Sequence, residues 1–142
     1  MPIPRAAHAP PAHYISGMIS EVDFVLIPTR DLARAMSFYG DTLGLRRSVH
    51  YEGRSFAEFE TGNVTLSLIE PERMGMEFNA NLNPIALRVD DVAAARAELE
   101  RRGVAFQGEI LDTGVCHMAF LSDPDGNRLM LHRRYAPRET TG

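Results

Sequence analysis

The sequence repeats one pattern of elements twice. Residues 24–27 (FVLI) and residues 85–89 (IALRV) are apolar runs typical of buried strands, and each precedes a helical pattern. Each helical pattern begins at an aspartate, which suits an N-cap, and ends at a glycine, which suits the left-handed position beyond the last turn: Asp31 and Gly44, then Asp91 and Gly103. Three strand-like segments follow each helix. The repeat predicts an α+β fold of two β-α-β-β-β modules in tandem, with an open cleft.

The predicted strands are separated by turn signals rich in glycine, asparagine and aspartate. They cover residues 46–52, 55–61 and 63–70 after the first helix, and 105–109, 115–121 and 128–133 after the second. We therefore expect an N-terminal arm, one domain, which consists of two modules joined by a linker, and a C-terminal tail. Their predicted bounds are 1–18 for the arm, 19–135 for the domain (19–70, linker 71–83, 84–135) and 136–142 for the tail.

Composition excludes several classes of function. The 142 residues suit a single domain, and the net charge of -4, with scattered basic residues, argues against nucleic-acid binding. No apolar run approaches the roughly 18 residues that a membrane span needs. The single cysteine, Cys116, excludes an intrachain disulfide and favours a reducing cytoplasm.

The last turn determines which side chains share a face. Residues 123–127 (DPDGN) suit a type I turn with a bulge at Gly126, which pairs Asp123 with Asn127. Without the bulge, the two faces of the preceding strand would be exchanged, and His117 would lie beside His132. We favour the bulge because the turn carries the residues that it requires. The bulge would place Cys116, Met118 and Phe120 on the face of Met130 and His132, and His117 on the opposite face.

The pattern resembles the vicinal oxygen chelate superfamily, which includes glyoxalase I, bleomycin-resistance proteins, fosfomycin-resistance enzymes, methylmalonyl-CoA epimerase and extradiol dioxygenases. The resemblance covers about residues 20 to 135. It rests on the strand and helix start of both modules and on the DPDGN turn: residues 24–27, 31–35, 38–39, 43–45, 85–91 and 123–127. It implies the fold and leaves the reaction open, because one scaffold of this kind supports many chemistries.

Metal-dependent members of the superfamily place ligands at four cleft positions, two on the first strands and two on the last strands. Carried over to this chain, these positions are Phe24, Ser67, Pro84 and Met130. Phenylalanine and proline have no side-chain donor, a serine hydroxyl is a poor ligand at neutral pH, and a thioether suits only soft ions. We therefore expect no metal at this site and no other cofactor.

The remaining cleft residues are apolar, with few polar groups, which is the usual composition of a small-molecule pocket. The predicted ligand-binding residues are Phe24, Ser67, Met118, Phe120, Met130 and His132, with Thr65 and Cys116 nearby. The alternative is that these side chains pack against one another as an ordinary core.

Three functions remain open from the sequence. The first is a metal-free protein that binds, and possibly sequesters, a small apolar or aromatic molecule. The second is a metal-free enzyme that transfers protons, and the third is a metal-dependent lyase, isomerase or dioxygenase with relocated ligands. The candidate groups for both kinds of chemistry are His132, His117, Glu58 and Glu60. The resemblance also implies a homodimer whose cleft both chains complete.

Overall fold

The computed structural model describes residues 17–138, so most of the expected N-terminal arm and the last four residues of the expected tail lie outside it. Within that range no helix has the length and apolar character needed to cross a membrane. The strands are β1 (Phe24–Pro28), β2 (Arg46–His50), β3 (Phe56–Glu60), β4 (Thr65–Ile69), β5 (Ile85–Arg88), β6 (Phe106–Asp112), β7 (Cys116–Ser122) and β8 (Arg128–Arg134). The α-helices are α1 (Leu32–Met36) and α2 (Val92–Arg101), and a 3₁₀ turn (Pro71–Met74) follows β4.

The strands form two four-stranded sheets of the same topology, with orders β1-β4-β3-β2 and β5-β8-β7-β6. In each sheet the first strand runs parallel to the last, and the other pairs are antiparallel. The structure therefore confirms the predicted pair of β-α-β-β-β modules. Strands β1 and β5 are edge strands in their respective sheets.

The first helix is less regular than the sequence predicts. Helix α1 continues as a π-helix over Ser37–Thr42, in which the Leu43 N–H donates to the Phe38 carbonyl at 2.8 Å. In an α-helix, neighbouring side chains point about 100° apart. Both Phe38 (9% exposed) and Tyr39 (0%) are nevertheless buried here, and their rings pack edge to face with centroids 5.2 Å apart.

The β7–β8 turn has the predicted bulge. The Asp123 N–H donates to the Asn127 carbonyl at 2.8 Å, the Gly126 N–H donates to the Asp123 carbonyl at 3.0 Å, and Gly126 has a φ of 86°. Met118 pairs with His132, and His117 pairs with Arg133. The predicted register is therefore confirmed, and the alternative with both histidines on one face is wrong.

One hydrophobic core joins the two modules. Alternate residues of every strand except β2 point towards the helices, and these side chains and the helices' inner faces form a single cluster. Its members include Ile27, Ala57, Phe59, Leu66 and Leu68 from the first sheet, Ala119, Leu121, Leu129 and Leu131 from the second, and Leu32, Ala35, Tyr39, Val92 and Leu99 from the helices.

A buried carboxylate, Asp123, lies at the centre of the polar contacts between the modules. It accepts hydrogen bonds from the Tyr39 hydroxyl at 2.7 Å and the Asn127 side-chain amide at 2.8 Å. The backbone N–H groups of Asp125 and Asn127 each donate to its other oxygen at 2.9 Å. Four donors satisfy a carboxylate that is only 6% exposed, which offsets the cost of removing it from water.

The neighbouring turn residues extend these contacts. The Asn127 amide also donates to the Pro28 carbonyl at 2.8 Å, so it bridges the modules. Asp125 accepts hydrogen bonds from the Thr29 hydroxyl, the Arg30 N–H and, at 2.8 Å, the Arg34 guanidinium. We call the group of Tyr39, Asp123, Asp125 and Asn127 the module latch, because its bonds tie the β7–β8 turn to the end of β1 and to α1.

Replacing Tyr39 by Phe should lower the free energy of unfolding by about 1.5–3 kcal/mol, because Asp123 loses one of its buried donors. Burial and the adjacent Asp123 raise the pKa of Tyr39 well above its ordinary value of about 10. Above about pH 10 the phenol ionises in the unfolded chain but stays neutral in the folded protein. The stability that the Tyr39 hydroxyl contributes is therefore lost as pH rises.

Urea denaturation of wild type and Tyr39→Phe from pH 7 to 11 measures the difference. We expect the difference in free energy of unfolding between the two proteins to be constant up to about pH 9.5 and to become smaller above it. A gap that widens with pH would contradict a latch in which the neutral phenol donates.

Candidate functional site

Each sheet has a face turned away from its helix, and these two faces carry the residues predicted for the cleft. We call them the first and second open faces. The first carries Phe24 and Leu26 from β1, Thr65, Ser67 and Ile69 from β4, and Phe56, Glu58 and Glu60 from β3. The second carries Ala86 and Arg88 from β5, Arg128, Met130 and His132 from β8, and Cys116, Met118 and Phe120 from β7.

Polar groups on the first open face are partly held by one another. Glu60 accepts hydrogen bonds from the Thr65 hydroxyl at 2.8 Å and the Ser48 hydroxyl at 2.9 Å. Glu58 shares the face with Glu60, as predicted from strand alternation, and pairs with Ser67 across β3 and β4. Within residues 17–138 the Ser67 hydroxyl has no hydrogen-bond partner. Ser67 is 5% exposed, so its hydroxyl is a sheltered group with free hydrogen-bonding capacity.

Large apolar side chains on β1 face solvent. Phe24 is 51% exposed and Leu26 is 50% exposed, although both belong to a strand whose other side packs into the core. Leu26 was not among the predicted binding residues, although it alternates in phase with Phe24. Exposed apolar groups this close together on an edge strand indicate a surface that contacts a ligand or another chain.

The second open face is richer in sulfur, with Cys116, Met118 and Met130 on it. Phe120 pairs with Met130, which pairs with Ala86, so these three form one row across the sheet. Met118, His132 and Arg88 form the adjacent row. Methionine side chains are flexible and polarisable, and they adapt to flat or irregular apolar ligands.

His132 and Arg88 lie side by side on this face, and in residues 17–138 neither side chain has a hydrogen-bond or ion-pair partner. The sequence prediction included His132 and missed Arg88. The alternation of β5 could have identified Arg88, because Ala86 and Arg88 point away from the core while Ile85 and Leu87 point into it.

His117 lies on the helix-bearing side of the second sheet, away from His132. Its ring packs against Tyr135 at 4.8 Å between centroids, and its Nε2 lies 3.4 Å from Asp112. Hydrogen bonds from the Gly114 N–H and the Tyr135 hydroxyl, with His117 nearby, lower the pKa of Asp112. These contacts give His117 a structural role at the β6–β7 hairpin, and the structure does not bring it together with Glu58, Glu60 or His132.

The residues at the superfamily's four ligand positions do not provide the donors that a metal ion needs in this chain. Phe24, Ser67 and Met130 lie on the open faces and Pro84 immediately precedes β5, so the four positions of the superfamily offer at most a hydroxyl and a thioether. Within the described residues, no three His, Cys, Asp or Glu side chains lie close enough together to share an ion. The residues proposed as relocated ligands do not form such a group either.

Clefts also lie outside the open faces. A groove of about 840 Å³ between α1 and the β2–β3 hairpin is lined by charges of both signs, including Arg47, Arg54, Glu52 and Glu70. A mainly apolar cavity of about 530 Å³ lies between the modules, lined by side chains such as Val25, Leu66, Leu87 and Leu99 and rimmed by Arg88, Glu98 and Arg102.

Solved structures similar to this chain include two from Streptomyces sp. CB03234. One is TnmS3, an antibiotic binding protein, with 29% identity, a TM-score of 0.70, and coverage of 83% of this chain and 98% of that one. The other is a glyoxalase/bleomycin resistance protein, with 30% identity, a TM-score of 0.65, and coverage of 80% and 100%. A lactoylglutathione lyase from Agrobacterium tumefaciens shares the fold, with 20% identity, a TM-score of 0.66, and coverage of 82% and 95%.

Among proteins with curated descriptions, none matches this chain. The family model of the Glyoxalase/Bleomycin resistance protein/Dioxygenase superfamily matches residues 21–131, which include all eight strands except the last three residues of β8. The match agrees with the sheet topology and with the resemblance in both modules. The chain therefore belongs to the Glyoxalase/Bleomycin resistance protein/Dioxygenase superfamily.

Proposed function

We propose that this protein binds a small apolar or aromatic molecule on its open faces without a metal ion, and sequesters it without altering it. The observation that carries the proposal is the combination of solvent-facing apolar groups, Phe24 and Leu26, with a methionine-rich second face. The lack of a fitting donor set supports a metal-free site. The single buried cysteine, Cys116, suits a protein of the reducing cytoplasm, where we propose that it acts.

The comparison with TnmS3 supports binding as the function. That protein is described as antibiotic binding, and it shares 29% identity over most of both chains. Applied to this chain, the likeness supports a small molecule of the antibiotic kind as the ligand.

A metal-free enzyme is the second candidate, favoured by one observation. His132 is half-buried on the second open face, and its imidazole has no partner within residues 17–138, so it is free to exchange a proton with a ligand. Turnover of a bound compound that His132→Ala abolishes, with binding retained, would establish this function instead of sequestration.

We further propose a homodimer in which the partner chain covers the edge of β1. Phe24 and Leu26 share the first open face, Val22 (60% exposed) lies two residues before β1, and Met18 and Ile19 precede it in exposed positions. A monomer in water gains nothing from this arrangement, whereas burial against a second copy stabilises it by about 25 cal/mol per Å².

Light scattering after size-exclusion chromatography should therefore give twice the 15.8 kDa mass of one chain. Val22→Asp should raise the dimer dissociation constant at least about tenfold, because it places a charge in an apolar contact. Met74→Asp, at a methionine 50% exposed on the 3₁₀ turn, is the matched control and should leave the mass unchanged. A monomeric wild type would refute the arrangement.

Binding to the open faces should depend on the aromatic groups there, exposed Phe24 and half-buried Phe120. Phe24→Ala and Phe120→Ala should each weaken binding of the neutral dye N-phenyl-1-naphthylamine about fivefold to tenfold, because the dye loses apolar contact area. Tyr51→Ala, an aromatic 63% exposed near the β2–β3 turn, is the control. Fluorescence titration measures all three, and unchanged affinity in both phenylalanine variants would instead assign the dye to the cavity between the modules.

Metal analysis of tag-free protein tests the donor argument. After incubation with Zn²⁺, Ni²⁺, Fe²⁺ or Mn²⁺ and gel filtration, we expect well below about 0.1 ion per chain, since a stable site needs three or four good ligands. One ion per chain that His132→Ala removes would show relocated ligands and would favour metal-assisted chemistry.

A further inference from the structure

The second open face carries an unusual distribution of charge. Strands β5, β7 and β8 place Arg88, Arg128, His132 and Arg134 on it and place no carboxylate there. In the described chain Arg88 and Arg128 have no side-chain partner, whereas each arginine of α2 forms an ion pair with Glu98 or Glu100. The part of the face formed by β5 and β8 therefore presents two arginines, Arg88 and Arg128, that no carboxylate of the described residues neutralises.

Arg88 and His132 form the best-placed pair of these groups. They are direct partners across β5 and β8, so their side chains project from the same face of adjacent strands, about 4.8 Å apart. His132 is half-buried while Arg88 is exposed, so one group is sheltered and the other is flexible. The planar guanidinium of Arg88 and the adjacent imidazole of His132 can together donate two or more hydrogen bonds to a single acidic group.

An apolar row lies next to this pair. Met130 and Phe120 are adjacent partners in the row that follows, about 6–7 Å along the strands from His132 and Met118. An aromatic ring resting on Met130 and Phe120 would therefore have its edge within reach of Arg88. Sulfur and ring contacts would hold the body of the ligand, and Arg88 with His132 would hold its substituent.

We infer that the ligand of this protein is an aromatic anion, whose acidic group, a sulfonate or carboxylate, is held by Arg88 and His132 while its rings lie on Met130 and Phe120. The inference rests on the proposed function, since it specifies which apolar molecules the open face selects. A neutral aromatic molecule would leave the Arg88 guanidinium without a partner in the bound state, so it would bind more weakly.

Two dyes that share one arylamine body separate the contribution of the acidic group to binding from that of the rings. 8-Anilinonaphthalene-1-sulfonate carries the acidic group, and N-phenyl-1-naphthylamine lacks it. Fluorescence titration of the full chain should give about tenfold tighter binding of the sulfonate. Arg88→Gln should remove this preference by raising the dissociation constant of the sulfonate about tenfold, with little change for the neutral dye.

Arg133→Gln is the matched control. Arg133 lies on β8 beside His132, points to the opposite face and also has no partner in the described chain, so the variant changes the net charge equally. It should bind both dyes as wild type does. Size-exclusion chromatography of each variant should show an unchanged oligomer, because a role of Arg88 in subunit contact would otherwise mimic the effect.

Several results would overturn the inference. The inference fails if wild type binds the two dyes equally, if Arg133→Gln loses as much sulfonate affinity as Arg88→Gln, or if Arg88→Gln changes the oligomer. It also fails if Phe120→Ala leaves sulfonate binding unchanged, because Arg88 also lies at the rim of the cavity between the modules. If the neutral dye binds in a Phe120-dependent way and the sulfonate gains nothing, the proposed function stands and the anion assignment falls. If neither dye binds, the proposed function itself fails.

Discussion

One buried carboxylate determines how the two halves of this chain are arranged. Asp123 is only 6% exposed and accepts hydrogen bonds from both modules, so any other arrangement would leave it without the Tyr39 hydroxyl. An unsatisfied carboxylate in a low-dielectric interior is strongly unfavourable. Apolar packing alone would tolerate small rotations of one module against the other. The directional hydrogen bonds of the module latch select a single orientation of the two modules, and that orientation determines where both open faces lie.

Much of the fold could be predicted because the signals are local. The β7–β8 register depends on five consecutive residues, and the glycine at position 126 has the positive φ that the bulge requires. The latch could not be predicted, since Tyr39 and Asp123 are 84 residues apart and meet only once the modules are placed. The π-helix was missed for a related reason: the spacing of apolar residues predicts a helix but not a wider turn. Arg88 was missed because its strand was interpreted by its apolar members.

The two open faces differ in how far the protein satisfies its own polar groups. On the first, Glu60 is held by two hydroxyls, and its charge is largely committed to Ser48 and Thr65. On the second, the side chains of Arg88, Arg128 and His132 have no partner in the described chain, whereas Arg134 donates to the Pro137 carbonyl at 3.1 Å. The two modules thus differ at alternate positions of corresponding strands, where the first carries internal hydrogen bonds and the second carries unpaired arginines. Equivalent positions in the repeat therefore offer different chemistry to solvent.

Strand alternation separates the residues that hold this fold together from those that meet the solvent. The latch and the core lie on the helix-bearing side of each sheet, and almost none of their contacts reach the open faces. Substitutions at exposed positions away from structural contacts usually change stability by less than about 0.5 kcal/mol. Evolution can therefore exchange open-face residues in small, nearly neutral steps, and a scaffold of this kind can change its ligand without first losing its shape.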